Sequence, residues 1–312
     1  MSKPIIVGYD PKTADHAPVD FAVAAARFTG APLVIASVCA GAAVRGRSDA
    51  GRLEEDLPPD ASEALDEVKR ELGAERIAVD YRELDSTSAP RALHEAAEAQ
   101  DAGLLVVGST NRGAIGRVVP GSTAERLMHG APCAIAIVPH EWEAGGGLGT
   151  IGVAYVDTDE GREALRGAHA LARRAGAKLR VLTAVKAGLS AYGATEATTA
   201  VEAGKGVTEI EGELRTQAET ALRRQTEALR DGVPVEIDAF VEDPADVLIR
   251  VSEHLDLLVC GSRGYGPLRA VLLGGVSRRL AADARCPVIV LPRGVEDSLE
   301  TLMAETPSVA AG

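Results

Sequence analysis

The chain has 312 residues, enough for two ordinary domains, and its 46% hydrophobic and 25% charged content is that of a soluble globular protein. No apolar run approaches the ~18 residues of a membrane span, and a net charge of −13 argues against a nucleic-acid partner, whose phosphates call for a basic surface. The opening "MSKPIIVGYD" lacks a signal peptide's basic and long apolar regions, so a cytoplasmic location is expected.

In chain order, "PIIVGY" (4–9) predicts a strand followed directly by Asp10, and 14–29 an Ala-rich helix with Gly30 as its C-cap. "PLVIASV" (32–38) predicts a second strand, and 41–60, rich in Gly, Ala and charge, a surface loop. "SEALDEVKREL" (62–72) is an amphipathic helix with Leu65, Val68 and Leu72 on one face. A strand at 76–84, a helix at 89–100 and the strand "LLVVG" ending in Gly108 come next, then a Gly-rich loop, a short helix (122–130) and the closing strand "AIAIVP" (134–139). "HEWEAGGGLG" (140–149) has the glycines of a flexible linker. Beyond it, strands are expected near 150–155, 179–185, 235–240, 257–260 and 287–291, a surface loop at 186–207, and a partly disordered tail over 294–312.

The second set of strands repeats the first. "LLVVGSTNRGAIGRVVPGSTAERLMHGAPCAIAIVP" (104–139) lies over "LLVCGSRGYGPLRAVLLGGVSRRLAADARCPVIVLP" (257–292) without a gap, with 13 of 36 positions identical. Upstream, "RFTGAPLVIASV" (27–38) echoes "RRAGAKLRVLTAV" (173–185). A period near 150 residues is too long for a solenoid and means two homologous domains, 1–139 and 150–293. Strict alternation of strand and helix, with continuous β-branched runs, predicts an α/β fold of parallel sheets covered on both faces.

In such sheets ligands sit beyond the carboxyl ends of the strands, at the switch in strand order. Both Gly-rich loops leave a strand's carboxyl end and lead into a helix N-terminus, where free N–H groups favour an anion such as phosphate. "GSTNRGAI" (108–115) lacks the Lys-Ser/Thr of a Walker A loop, and neither loop is a GxGxxG dinucleotide fingerprint. Cysteines 39, 133, 260 and 286 form no CxxC and read as small buried hydrophobes in a reducing compartment. The six histidines show no metal spacing, and His129 and His254, near helix ends, read as dipole-compensating.

The pattern Gly-x2-Gly-x9-Gly-Ser/Thr after the fourth strand, the duplication and Asp10 together resemble the universal stress protein family in its tandem form, over 1–139 and 150–292. That resemblance implies two doubly wound five-stranded sheets of the adenine nucleotide alpha hydrolase-like type, strand order 3-2-1-4-5, docked through their last strands as an internal pseudo-dimer; it leaves a homodimer of whole chains open. It also implies ATP or a related adenine nucleotide as ligand, with Mg as a candidate companion ion. In the first copy it implies Asp10 at the nucleoside, Val38 beside the adenine, and Gly121 and Ser122 on the phosphates; Gly108, Asn111, Arg112, Gly113 and Thr123 are further candidate nucleotide contacts. In the second they are Asp157, Val185, Gly261, Arg263, Gly264, Gly274, Gly275, Val276 and Ser277.

Each copy departs from the pattern. Asn111 stands where the second Gly belongs, a residue that tolerates the left-handed turn better than most. Gly275 replaces the Ser/Thr, leaving Ser277 two residues on as a substitute hydroxyl, and by the repeat offset Asp10 faces Val156, with Asp157 one residue later. Simpler roles stay open: a turn carboxylate for Asp10, an N-cap for Ser122, and solvated surface charges for Arg112, Arg117 and Arg263. The expected function is a nucleotide-binding stress-response protein without catalysis. A nucleotide-free interaction scaffold and a slow ATPase are the rival readings.

Overall fold

The computed structural model describes residues 2–13, 15–39, 61–74, 77–109, 123–128, 130–140, 142–185, 207–229, 231–262, 275–292, 294 and 298–303. In the first half β1 (Ile5–Tyr9), β2 (Leu33–Cys39), β3 (Val79–Asp85), β4 (Leu104–Gly108) and β5 (Ala134–Val138) alternate with α1 (Ala17–Thr29), α2 (Ala61–Glu71), α3 (Ala89–Ala99) and α4 (Thr123–Met128). The second half repeats this with β6 (Thr150–Ala154), β7 (Lys178–Ala184), β8 (Val235–Phe240), β9 (Leu257–Gly261) and β10 (Val288–Leu291). Its helices are α5 (Asp159–Ala175), α6 (Val207–Thr226), α7 (Pro244–Ser252), α8 (Gly275–Asp283) and α9 (Ser298–Met303).

The ten strands among the described residues form one sheet, ordered β3-β2-β1-β4-β5-β10-β9-β6-β7-β8. Within each half the pairing is parallel and the order is 3-2-1-4-5, as expected. At the centre β5 and β10 pair antiparallel, with Val288 opposite Ile137, Ile289 opposite Ala136 and Val290 opposite Ile135. Each strand alone would be an apolar edge open to association; paired, both are buried at every residue.

Two cores line the two faces of this sheet. Ile5, Val7, Leu33 and Ile35 pack with α1 on one face, while Ile6, Val34, Leu105 and Val107 turn to the other with Leu93 of α3. The alternation follows from the two-residue period of a strand, and burial of both sets explains why the runs read as continuously apolar. Gly30 at φ 73° closes α1 with its N–H on the Ala26 carbonyl, the cap its sequence predicts.

The structure adds detail to two expectations and corrects a third. The tail folds at Ser298–Met303, because Leu299 and Leu302 find apolar space over Gly167 of α5 and over Gly103 beside β4. The linker is anchored at both ends: Trp142 packs edge-on against Phe21 at 5.6 Å, and the Gly149 and Thr150 N–H groups each donate to Asp256 Oδ2 at 2.8 Å. Cys39 is only half-buried, since β2 ends there, whereas Cys133, Cys260 and Cys286 are buried. Burial pushes each of those three thiols up to about 12.

Candidate functional site

Strand order reverses beside β1 and beside β6, since β1 lies between β2 and β4, and β6 between β7 and β9. Crossovers leave such a junction in opposite directions and open a crevice at the strands' carboxyl ends. Gly108 and Gly261, the last residues of β4 and β9, start the two Gly-rich segments there, and α4 and α8 resume the described chain at Thr123 and Gly275. Asn111, Arg112, Gly113, Gly121, Ser122, Arg263, Gly264 and Gly274 lie outside the described residues, as does His129.

In the first crevice Asp10 follows β1 in a tight turn. Its Oδ1 accepts the Lys12 N–H at 3.0 Å, and its carbonyl accepts the Thr13 N–H at 3.2 Å and hydroxyl at 3.0 Å. Asp10 is exposed, and the turn uses one of its two carboxylate oxygens. Val38 lies two strands from β4, near the end of β2, half-buried opposite Leu84. Gly108 meets the start of α1: a Cβ there would stand 3.2 Å from Pro18 Cγ and 3.5 Å from Asp15 Oδ2.

Sequence reasoning missed a pair at this crevice. Asp15, whose side chain is only 11% exposed, receives the Ala17 N–H on Oδ1 at 3.1 Å and lies 3.1 Å from His140 Nδ1 through Oδ2. The His140 N–H in turn donates to Ser109 Oγ at 3.2 Å, joining the start of the Gly-rich segment to the end of β5. No local spacing signals a contact across 125 residues. Nearby, His16 lies between Tyr9 Oη (3.4 Å) and Glu71 Oε2 (3.3 Å). Burial, with the charges of Glu67, Glu71 and Asp10, raises the Tyr9 phenol above its ordinary value.

The second crevice has the same backbone frame and different chemistry. Ile5 pairs with Leu33 and Leu104 where Ile151 pairs with Leu179 and Leu257, so Tyr155 matches Tyr9 and Val156 matches Asp10. Asp157, one residue further, receives the Tyr155 hydroxyl at 3.1 Å and is ion-paired with Arg162, which also holds Asp159. Burial first, then the Asp157 hydrogen bond and charge, raise the Tyr155 phenol. The same register makes Ala184, not Val185, the counterpart of Val38; Val185 follows β7 and donates its N–H to the Phe240 carbonyl at 2.8 Å. At the start of α8, Gly275 is exposed, Val276 half-buried and Ser277 buried.

Among the described residues, Gly261 is more tightly enclosed than Gly108. A Cβ at Gly261 would stand 2.8 Å from the carbonyl oxygen and from Cβ of Glu160, at the start of α5. Neither glycine adopts a positive φ. Their small size lets a helix N-terminus rest on the strand end, a role distinct from the ligand contact expected of them.

The universal stress protein family model matches residues 1–139 and 147–292. A universal stress protein of Mycolicibacterium smegmatis is 28% identical over 301 residues, 92% of this chain and 96% of that protein. One from Mycobacterium tuberculosis is 28% identical over 234 residues, 70% of this chain and 74% of its own length. Among solved structures, a universal stress protein from Archaeoglobus fulgidus superposes with a TM-score of 0.67 at 17% identity, covering 94% of this chain and 97% of that one.

Proposed function

The chain belongs to the universal stress protein family, and from that premise we propose that it binds ATP or a related adenine nucleotide and serves a stress response through a nucleotide-dependent change. The observation that carries this reading is the placement of both Gly-rich segments. Each begins at the carboxyl end of the strand beside the switch in strand order, where open parallel sheets hold ligands. We assign no catalytic step, and Mg is proposed only as the ion that accompanies the phosphates.

The two crevices are unequal in this reading, and the first is the principal site. Asp10 has a carboxylate oxygen beyond its turn bond to offer a nucleoside, whereas Val156 stands at its register in the second half and Asp157 is engaged by Tyr155 and Arg162. Ser122 adds a hydroxyl that Gly275 lacks. A hydrogen bond to a charged group contributes roughly 1.5–3 kcal/mol, about tenfold or more in affinity. The second half's altered chemistry supports a mainly structural part for it, the scaffold reading confined to one half.

Isotherms of ATP binding test this ranking. Ser122→Ala is expected to weaken the tighter phase about tenfold, and Asn111→Gly to preserve or strengthen it. Gly274→Asp, which sets a carboxylate against phosphate in the second half, should leave that phase intact. Loss of the tighter phase in Gly274→Asp but not in Ser122→Ala would reverse the assignment.

A further inference from the structure

A cavity of about 280 Å³ lies at the opposite end of the sheet from both crevices. Ile5, Leu104 and Leu257, the first residues of β1, β4 and β9, form its roof. Phe21 and Phe28 of α1 line one wall and Leu171 of α5 another, while Trp142 of the linker and Leu299 and Leu302 of α9 also line it. Elements of both halves therefore build it. Arg174 holds them together: its Nε donates to the Phe28 carbonyl at 3.1 Å, its Nη1 to the Met303 carbonyl at 3.3 Å, and its guanidinium lies 5.5 Å from the Phe28 ring.

The lining is mostly apolar, and its polar members sort by whether they are already engaged. Thr29 Oγ1 donates to the Ala25 carbonyl, and Asp256 receives the Gly149 and Thr150 N–H groups. Arg285 and Glu143 are exposed lining residues, and the Arg285 guanidinium has no partner among the described residues. An apolar cavity of ~150 Å³ already holds a benzene ring, and ligand pockets begin near ~300 Å³. The apolar side chains that face this space lack packing partners there, and an apolar occupant would supply those dispersion contacts.

We propose that this cavity binds a small amphipathic anion, a medium-chain acyl or aromatic carboxylate, with its apolar body between α1, α5 and α9 and its carboxylate at Arg285. The assignment is independent of the nucleotide reading, because the cavity shares no lining residue with either crevice. A ligand here touches the linker and the C-terminal helix together, so its presence would hold the two halves and the tail as one body.

Trp142 is the chain's only tryptophan and lines the cavity, so its emission reports occupancy directly. Decanoate and decanol, each below its aggregation limit, would be titrated into the full chain. The expected result is a saturable change in Trp142 emission, with decanoate bound roughly threefold more tightly than decanol, the scale of an exposed ion pair. Arg285→Gln should erase that preference, and Glu143→Gln should enhance it. Ala25→Phe, which fills the cavity from α1, should abolish the signal; if it fails to fold, Ala24→Leu makes a smaller intrusion at the same wall. An unsaturable or absent response in the wild type overturns the proposal. So does equal decanoate affinity in wild type and a folded filling variant, or an unchanged preference in Arg285→Gln.

Discussion

Substitution of alanine at Gly108 and at Gly261 separates helix-packing space from ligand space. The two glycines hold equivalent positions at the ends of β4 and β9, and neither needs a positive φ. An added methyl at Gly261 meets Glu160 at 2.8 Å from its carbonyl oxygen and 2.9 Å from its carbonyl carbon, backbone atoms in the first turn of α5. Relief requires α5 to move by about half an ångström, and overpacking of this kind costs about 1–3 kcal/mol. At Gly108 the nearest atom among the described residues is Pro18 Cγ at 3.2 Å, which needs only a few tenths of an ångström. That cost is close to the ~0.4–1 kcal/mol gained by restricting the unfolded chain. Gly108→Ala should therefore melt near the wild type, and Gly261→Ala lower by several degrees, at about 2–4 °C per kcal/mol for a chain approaching this size. Circular dichroism melts without nucleotide provide the measurement. Equal melting temperatures for the two variants, or a Gly261→Ala protein as stable as the wild type, would refute the packing argument.

The thiols make a second prediction: in the native protein Cys39 should react with a disulfide reagent near pH 8, while Cys133, Cys260 and Cys286 react only after denaturation; four fast thiols in the native state would contradict their burial. Because those three are raised from 9 to about 12 on folding, their contribution is complete below pH 9 and is lost as pH rises from 9 towards 12, so urea midpoints should fall across that window. Flat midpoints there would show that the buried thiols ionise as freely as unfolded ones. Leu302→Ala should cost about 2 kcal/mol, the low end for a buried leucine because it borders an existing cavity, and a change under about 0.5 kcal/mol would show that α9 does not dock.

The duplication made most of the fold legible. Two copies of one strand–helix alternation predicted the same sheet twice, and the apolar closing strands 134–139 and 287–292 pointed to the junction where β5 meets β10. Features set by long-range packing were less accessible. Leu299 and Leu302 gave too short an apolar signal to predict a helix in the tail, and their docking depends on Gly167 and Gly103 far away in sequence. The Asp15–His140 pair spans 125 residues, so no motif announces it. At the candidate site, the repeat offset already set Val156 against Asp10 with Asp157 one residue late; strand register agrees, and what the sequence left open, the partner of Asp157, is Arg162 five residues on. Val185 failed as the match to Val38 through a shift of one residue along β7. Glycine is ambiguous in a different way, since the same small side chain admits a phosphate or a helix end, and only the neighbouring atoms distinguish the two.

Nucleotide binding at the switch in strand order is tested most directly by equilibrium dialysis of labelled ATP against the full chain and against the double variant Gly121→Asp, Gly274→Asp. Saturable binding by the wild type, with its tighter phase lost in the double variant while the melting temperature is retained, is the predicted result. No binding at millimolar ATP, or binding by the folded double variant equal to the wild type, would contradict it.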